Sequence, residues 1–384
     1  MSKYNFDLLA KRKNTNCVKY DEFNSSLPMW VADMDFLMAP KIKEAIQKDL
    51  DIGAVGYSLI PNSFFNAFVD LFQRRYGTTF QKEEIVYVSG VVASIDSMIK
   101  LLSREGDNVV MLSPIYHTFY HCIKNYNRVA LVSKMELNNN EYSINWEDLE
   151  SKLANPKSSI MILCNPHNPV GKIFSEEELF KIDRLANKYN VLVISDEIHG
   201  LVTNPGKKYI PYENVAKGNH VTCLATSKAF NLAGLQSAVI VCKDKSLREK
   251  LQAAFYADDI GEPNYFAVNA NIAALRDSED WLDEMNEYVY NNKLAFADYV
   301  NKNIPGVISH VTDATYMVWV DVRKYTNDTK RFVDDLNSKT GLLVCPGIQF
   351  GDGGEGFLRI NLATSLKNVL DAGERLKTFI SSLK

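Results

Sequence analysis

Lys228 stands at the end of an apolar run, in Leu224-Ala225-Thr226-Ser227-Lys228-Ala229-Phe230-Asn231-Leu232-Ala233-Gly234, directly after two hydroxyl side chains. A lysine amine condenses with a carbonyl only when it is partly deprotonated, which desolvation or a second nearby cation favours, and adjacent hydroxyls can hold an anion. Capture of an aldehyde that also carries a phosphate is the chemistry such a segment could do. The ordinary alternative is a solvated surface lysine, and the segment alone does not exclude it.

Other segments carry polar groups at the ends of apolar runs. In Ser195-Asp196-Glu197-Ile198-His199 the Asp196 carboxylate could keep a heterocyclic nitrogen protonated, so that the ring accepts electrons. Asp196 and His199 could instead be two metal ligands, but His117 and His121 have no nearby glutamate to complete a set, and no metal is expected. Asn165-Pro166-His167-Asn168-Pro169-Val170-Gly171 either closes a turn or aims the Asn168 amide at a phenolic oxygen. Ser89-Gly90-Val91-Val92-Ala93-Ser94 opens a helix whose first N–H groups could hold a phosphate, although every helix has such an end. Tyr116, in Ser113-Pro114-Ile115-Tyr116, could stack on a flat ring or simply pack. Arg359 lies within the apolar run Leu358-Arg359-Ile360, where a guanidinium needs either an internal salt bridge or the carboxylate of a substrate.

Gly351-Asp352-Gly353-Gly354-Glu355-Gly356 has the letters of a dinucleotide fingerprint. It precedes a strand instead of joining a strand to a helix, so nicotinamide binding is not expected.

The elements that must position these residues show in the periodicity. Val109–Leu112, Ile160–Leu163, Val191–Ile194, Val221–Leu224 and Ala238–Val241 are short continuous apolar runs, the pattern of strands buried on both faces. Between two of them, Ser175 and Glu178 form a capping box, followed by Leu179, Ile182, Leu185, Ala186 and Tyr189 at helical spacing. An α/β fold with a mostly parallel sheet sandwiched by helices follows, with its ligand site outside the carboxyl ends of the strands. Trp281, Leu282, Met285, Tyr288, Val289, Phe296 and Tyr299 mark a long helix stopped by Pro305-Gly306, and a smaller α/β unit comes after it. The expected division is a large domain over 46–277 and a small domain from 1–45 and 278–384, with a cleft between them.

With 384 residues, 46% hydrophobic and 23% charged, the chain has an ordinary globular composition. A net charge of -4 argues against nucleic acid as the main ligand. The six cysteines are widely spaced without a Cys-x-x-Cys pair and read as reduced thiols. No apolar stretch reaches the roughly 18 residues of a membrane span, and none of signal-peptide length opens the chain, so a cytoplasmic protein is expected.

In sequence order, the glycine-opened helix, Tyr116, Asn168, Asp196, Lys228 and Arg359 resemble the fold-type I pyridoxal-phosphate enzymes of the class I/II aminotransferase superfamily, over nearly the whole chain. Leu27-Pro28-Met29-Trp30-Val31-Ala32-Asp33-Met34-Asp35-Phe36, with Gly56-Tyr57, Asp196 to His199 and Lys228 to Leu235, is similar to the cystathionine β-lyase, or carbon-sulfur lyase, branch. The resemblance implies an aspartate aminotransferase-like fold and pyridoxal 5'-phosphate as cofactor. Lys228 would hold it and shuttle the proton, Asp196 would pair with its ring nitrogen, Asn168 would bond its phenolic oxygen, and Tyr116 would stack on it. Its phosphate would meet the Gly90, Val91 and Val92 backbone, Ser227 or Thr226, and Tyr57 of a second subunit, which makes the protein a homodimer. Arg359 would take the carboxylate of an amino-acid substrate.

Three positions depart from the transaminase or lyase pattern. The usual phosphate-binding arginine eight residues past the lysine is Gln236, His199 replaces a tyrosine common in transaminases, and His117 follows Tyr116 where several lyases have a second tyrosine. The implied reaction is β-elimination from cystathionine or a related cysteine S-conjugate to a thiol, pyruvate and ammonia. Transamination on the same fold, and a lyase-like protein that also binds a regulatory partner, are the alternatives.

Overall fold

The computed structural model describes residues 3–138 and 140–383. Its centre is a seven-stranded sheet built from β1 (Ile85–Val88), β2 (Asn108–Ser113), β3 (Val129–Lys134), β4 (Ser158–Cys164), β5 (Leu192–Asp196), β6 (His220–Leu224) and β7 (Ala238–Val241). The spatial order is β1-β7-β6-β5-β4-β2-β3; β7 runs antiparallel to both neighbours and every other pairing is parallel. Each expected run is a strand, and each is apolar throughout because alternate residues feed opposite layers. Val109, Met111, Ile160 and Ile162 pack on one side, with Ile95, Met98 and Ile99 of α1 (Val91–Leu102). Val110, Leu112, Met161 and Leu163 pack on the other, with Leu179, Ile182 and Leu185 of α2 (Glu176–Lys188).

Local signals explain where these helices start. At α2 the Ser175 hydroxyl accepts from the Glu178 N–H at 3.1 Å, and the Glu178 carboxylate accepts from the Ser175 N–H at 2.8 Å. Two of the orphan donors at this end of the helix are thereby satisfied. At α1 the capping residue is Gly90, and no side chain caps the helix.

The long helix α3 (Glu279–Asn303) belongs to two cores at once. Trp281, Leu282, Met285 and Val289 pack with Phe64 and Phe68 beside the large sheet, whereas Phe296 and Val300 pack with Val318, Leu358 and Ile360. Those last residues belong to an antiparallel four-stranded sheet of β8 (Ile308–Ser309), β9 (Met317–Asp321), β10 (Cys345–Pro346) and β11 (Phe357–Asn361), in the order β8-β9-β11-β10. The helices α4 (Thr329–Thr340) and α5 (Leu366–Ser381) cover it through Leu336, Val369 and Leu376. The glycine-rich 351–356 stretch leads into β11, as its rejection as a nucleotide fingerprint requires.

The N-terminal stretch is shared between the cores. Leu27–Pro28 pairs in parallel with Leu342–Leu343 at the smaller sheet, but Phe6, Met34 and Phe36 are buried against Phe64, Phe68 and Trp281. All six cysteines are unpaired. Among the described residues no helix is long and apolar enough to cross a membrane.

Candidate active site

The parallel strands β4, β5 and β6 end at one level, because Cys164 pairs with Asp196 and Asp196 with Cys223. Three loops therefore leave the sheet side by side, carrying Asn168, His199 and Lys228. Outside these carboxyl ends lies a cavity of about 220 Å³ lined by Gly90, Val91, Val92, Tyr116, Asn168, Asp196, His199, Ser227 and Lys228. A second cavity of about 780 Å³ adjoins it, sharing Ala32, Tyr116 and Lys228 and adding Trp30, Asp33, His117 and Arg359.

Lys228 is no surface lysine. Its Nζ donates to the Ala32 carbonyl at 2.8 Å. Burial brings its pKa down to about 8, with the Arg359 guanidinium adding to the effect and Asp33 and Asp196 opposing it. A fraction of the amine is therefore neutral at neutral pH and more of it just above, as nucleophilic attack on an aldehyde requires. Burial pushes Asp196 up to about 6, against the Ile198 N–H, which its Oδ1 accepts at 3.1 Å, and the charge of Lys228. His199 is held well below its ordinary range by burial, with Lys228 and Arg359 adding, so its ring is neutral.

Arg359 on β11 is 4% exposed. Its Nη1 donates to Asn168 Oδ1 at 3.2 Å, and its Nη2 donates to the Trp30 carbonyl at 3.0 Å and to Cys345 Sγ at 3.4 Å. The guanidinium carbon lies 4.8 Å from the centre of the Phe350 ring. All these partners are neutral, so the internal salt bridge that could have explained a buried arginine does not exist among the described residues. A buried cation without a counter-ion is costly, and a carboxylate entering the cavity would remove that cost.

Gly90 is extended, at φ 176°, and a Cβ built on it meets nothing closer than Gln236 Oε1 at 3.9 Å. The space before the first turn of α1 is therefore open, and Val91, Val92 and Ala93, whose N–H groups have no partner within a helix, line the cavity. The two hydroxyls beside the lysine separate. Ser227 lines the cavity, whereas Thr226 turns into the core and donates to Asn271 Oδ1 at 2.5 Å. Of the expected pair, only Ser227 is available to an anion. Tyr57 is the candidate the single chain does not bring to the site: it is 100% exposed, in a stretch without helix or strand.

Several residues at the site carried no recognisable signal. Tyr316 donates its hydroxyl to the same Ala32 carbonyl at 2.8 Å. Asn231 brackets Met34, accepting from its N–H and donating to its carbonyl, both at 2.9 Å. Asn361 donates to the Val31 carbonyl at 2.6 Å and to the Asp33 carbonyl at 2.5 Å. Behind this strip, buried Lys19 reaches Asp35 at 2.8 Å and Arg12 pairs with Asp33. Glu197, next to Asp196, accepts from Ser195 Oγ at 2.9 Å, Tyr212 N–H at 2.7 Å and the Tyr209 hydroxyl, which fixes the turn beneath the cavity.

Residues 29–376 match the model of the family described as aminotransferase class I and II. The chain belongs to the class I and II aminotransferase family. Among curated members it is 35% identical over 386 residues to cystathionine beta-lyase PatB of Bacillus subtilis (strain 168), covering 98% of this chain and 100% of that one. Among solved structures it superposes on cystalysin from Treponema denticola, which contains a pyridoxal 5'-phosphate cofactor, with TM-score 0.94 and 27% identity over 99% of this chain and 100% of that one. It superposes on the PLP-bound C-S lyase from Staphylococcus hominis with TM-score 0.92 and 28% identity over 98% and 99% of the two chains. The architecture is accordingly the aspartate aminotransferase-like fold of this family.

The residues present fit the family's cofactor. Besides the amine and the carboxylate, His199 Nδ1 is a buried polar atom of a cavity-lining residue without a partner among the described residues. Such atoms are rare unless a ligand or water completes them. No group of three or more His, Cys, Asp or Glu side chains gathers among the described residues into a set that could hold a metal ion.

Proposed function

We propose that this protein is a pyridoxal-phosphate-dependent carbon-sulfur β-lyase that cleaves cystathionine or related cysteine S-conjugates to a thiol, pyruvate and ammonia. The observation that carries the reading is the convergence, in two adjoining cavities, of a buried and partly neutral Lys228, the Asp196 carboxylate and an Arg359 without a counter-ion. The likeness to a cystathionine beta-lyase over the full chain supports the choice of reaction.

Pyridoxal 5'-phosphate, when bound, supplies an aldehyde for Lys228 and a ring that takes up the electrons released at the substrate Cα. Asp196 holds the proton on the ring nitrogen, and an anionic partner there is what keeps that nitrogen charged. Asn168 serves both sides: its Oδ1 orients Arg359, which leaves its Nδ2 to donate to the phenolic oxygen. The phosphate would be met by the backbone of Gly90, Val91 and Val92 at the open start of α1 and by Ser227, with Tyr116 against the ring. His199, neutral, faces the cofactor without adding a second positive charge beside Lys228.

Arg359 grips the substrate carboxylate and so fixes which Cα bond is presented. The Lys228 amine then takes the Cα proton as a general base, a role its lowered pKa allows near neutral pH. The sulfur leaves from Cβ into the larger cavity. In the assembled enzyme, Tyr57 reaches the phosphate of a second copy; Ile52, Val55, Tyr57 and Leu59 are all exposed on the single chain, which fits a homodimer contact. A large unit over 46–277 and a smaller one from 1–45 and 278–384, with the N-terminal stretch and α3 contributing to both cores, and a cytoplasmic setting complete the reading.

Incubation with L-cystathionine in the absence of any 2-oxo acid tests the reaction. Prompt release of thiol and pyruvate, together with a visible absorbance band that Lys228→Ala lacks, is the expected result. Turnover that strictly requires a 2-oxo acid would make the protein a transaminase instead, and colourless protein in excess cofactor would remove the cofactor assignment.

A further inference from the structure

Lys293 has no part in the chemistry above, yet its position is hard to explain by packing. It lies on α3 at 0% exposure. Its Nζ donates to Asn204 Oδ1 at 2.8 Å, to the Ala314 carbonyl at 3.3 Å and to the Thr312 carbonyl at 3.4 Å. Three acceptors match the three N–H bonds of an ammonium, and all three are neutral. The nearest acidic influence, Asp313, is itself paired with Lys207 at 2.7 Å. Burial without a carboxylate brings the amine down to about 7, so the site bears a desolvation cost that methionine or leucine would avoid.

The acceptors tie together loops that carry site residues. Asn204 ends the turn that follows Asp196 and His199; its Nδ2 donates to the Thr312 carbonyl at 2.5 Å and its N–H to the Asp313 carbonyl at 2.9 Å. Thr312 to Thr315 lead into Tyr316, whose hydroxyl bonds the Ala32 carbonyl beside Lys228, and the Thr315 N–H returns to the Val202 carbonyl at 2.8 Å. The Ala314 N–H donates to the Gly171 carbonyl at 3.0 Å, and the Gly171 N–H donates to the His167 carbonyl at 2.7 Å, one residue before Asn168. The last junction is tight: Gly171 is left-handed at φ +66°, and a Cβ there would stand 2.8 Å from the Ala314 oxygen. One turn-pair away on α3, Asn286 Nδ2 donates to the Leu201 carbonyl at 3.0 Å, so the same helix face grips the turn twice.

We propose that Lys293 is a positioning residue for this site: from α3 its amine holds in register the loops that carry His199 and Tyr316 and, through Ala314 and Gly171, the loop that carries Asn168, without touching substrate or cofactor. The part of this inference that concerns turnover rests on the lyase reading; the part that concerns loop order does not.

Lys293→Met removes the donors while keeping length and volume. At a temperature where circular dichroism shows the variant folded, kcat/KM for L-cystathionine is expected to fall on the order of tenfold to a hundredfold, the scale of a small misplacement of reacting groups. In the same protein without cofactor, amide hydrogen exchange at 199–204 and 312–316 is expected to quicken at least about tenfold while β4 and β5 keep their protection. A folded variant with unchanged kcat/KM, or with exchange raised evenly over the whole chain, overturns the proposal, because a residue that merely stabilises the fold gives that pattern. Should Lys293→Met not fold, Lys293→Gln keeps a polar head too short to reach all three acceptors and leaves Asn204 intact; local exchange at 312–316 must still quicken, and unchanged exchange there overturns the proposal. If the wild type cleaves no thioether, the lyase reading fails, and the exchange measurement still decides whether Lys293 clamps the loops.

Discussion

Lys228 and Tyr316 donate to one and the same oxygen, the main-chain carbonyl of Ala32, each at 2.8 Å. An acceptor shared with a tyrosine stabilises an ammonium less than one held alone, so Tyr316 helps lower the lysine's pKa and keep part of the amine neutral. Tyr316→Phe should therefore shift the Lys228 pKa upward from about 8. The sign for activity follows: a step that needs the neutral amine moves its acid limb to higher pH. Competitive acylation of Lys228 in the cofactor-free protein across pH reads the shift directly, and a downward or absent shift would contradict the shared-acceptor account.

Among the described residues Arg359 is the one buried guanidinium at the cavity, and its protein partners are neutral. Arg359→Ala should lower kcat/KM for thioether amino acids by roughly ten- to a hundredfold, from loss of about 1.5–3 kcal/mol of charge-assisted hydrogen bonding. Arg359→Lys should recover little of it, since an ammonium cannot reproduce the planar fork. Steady-state kinetics with the same amino acid and with its decarboxylated amine separates the effect: the amine should show almost no difference between wild type and variant.

The adjacent hydroxyls should fail in different ways. Ser227→Ala should weaken cofactor binding while leaving the unfolding midpoint of the cofactor-free protein near its original value. Thr226→Val should do the reverse, because it leaves buried Asn271 Oδ1 without its donor, at a cost of about 1–3 kcal/mol. Cofactor titration and urea unfolding of both variants check the assignment, and a swapped pattern would show that Thr226 is the phosphate contact.

Tyr57 can be placed by mixing two inactive partners. If it completes the site of a second copy, a dimer of one Lys228→Ala chain and one Tyr57→Ala chain contains one site with both residues intact. Co-expression with separable tags should then give mixed dimers with about half the wild-type activity, as one of two sites would be whole. Mixed dimers no more active than the Tyr57→Ala homodimer would place Tyr57 elsewhere.

What could be read from the chain alone follows from the physics of the sheet. Strands buried on both faces must be apolar along their whole length, so the polar residues at their ends, Asn168, Asp196 and Lys228, stand out as points where the pattern breaks. Capping has the same local character, and Ser175 with Glu178 is legible within four residues. Contacts across the fold leave no such trace. Asn231 is 197 residues from Met34, and Asn361 is 330 from Val31, yet both fix the strip that presents the Ala32 carbonyl. The orientation of Thr226 away from the cavity likewise depends on Asn271, which no spacing rule links to it.

The strip from Val31 to Met34 is synthesised 330 residues before Asn361, counted from Val31, and Asn361 holds it from the far side of the fold. Until Asn361 has left the ribosome, the oxygen that receives Lys228 has nothing to fix it on that side. Nascent chains lacking β11 should consequently be able to build the large sheet and yet remain catalytically silent, because both Arg359 and the Asn361 that holds the strip arrive only with that strand.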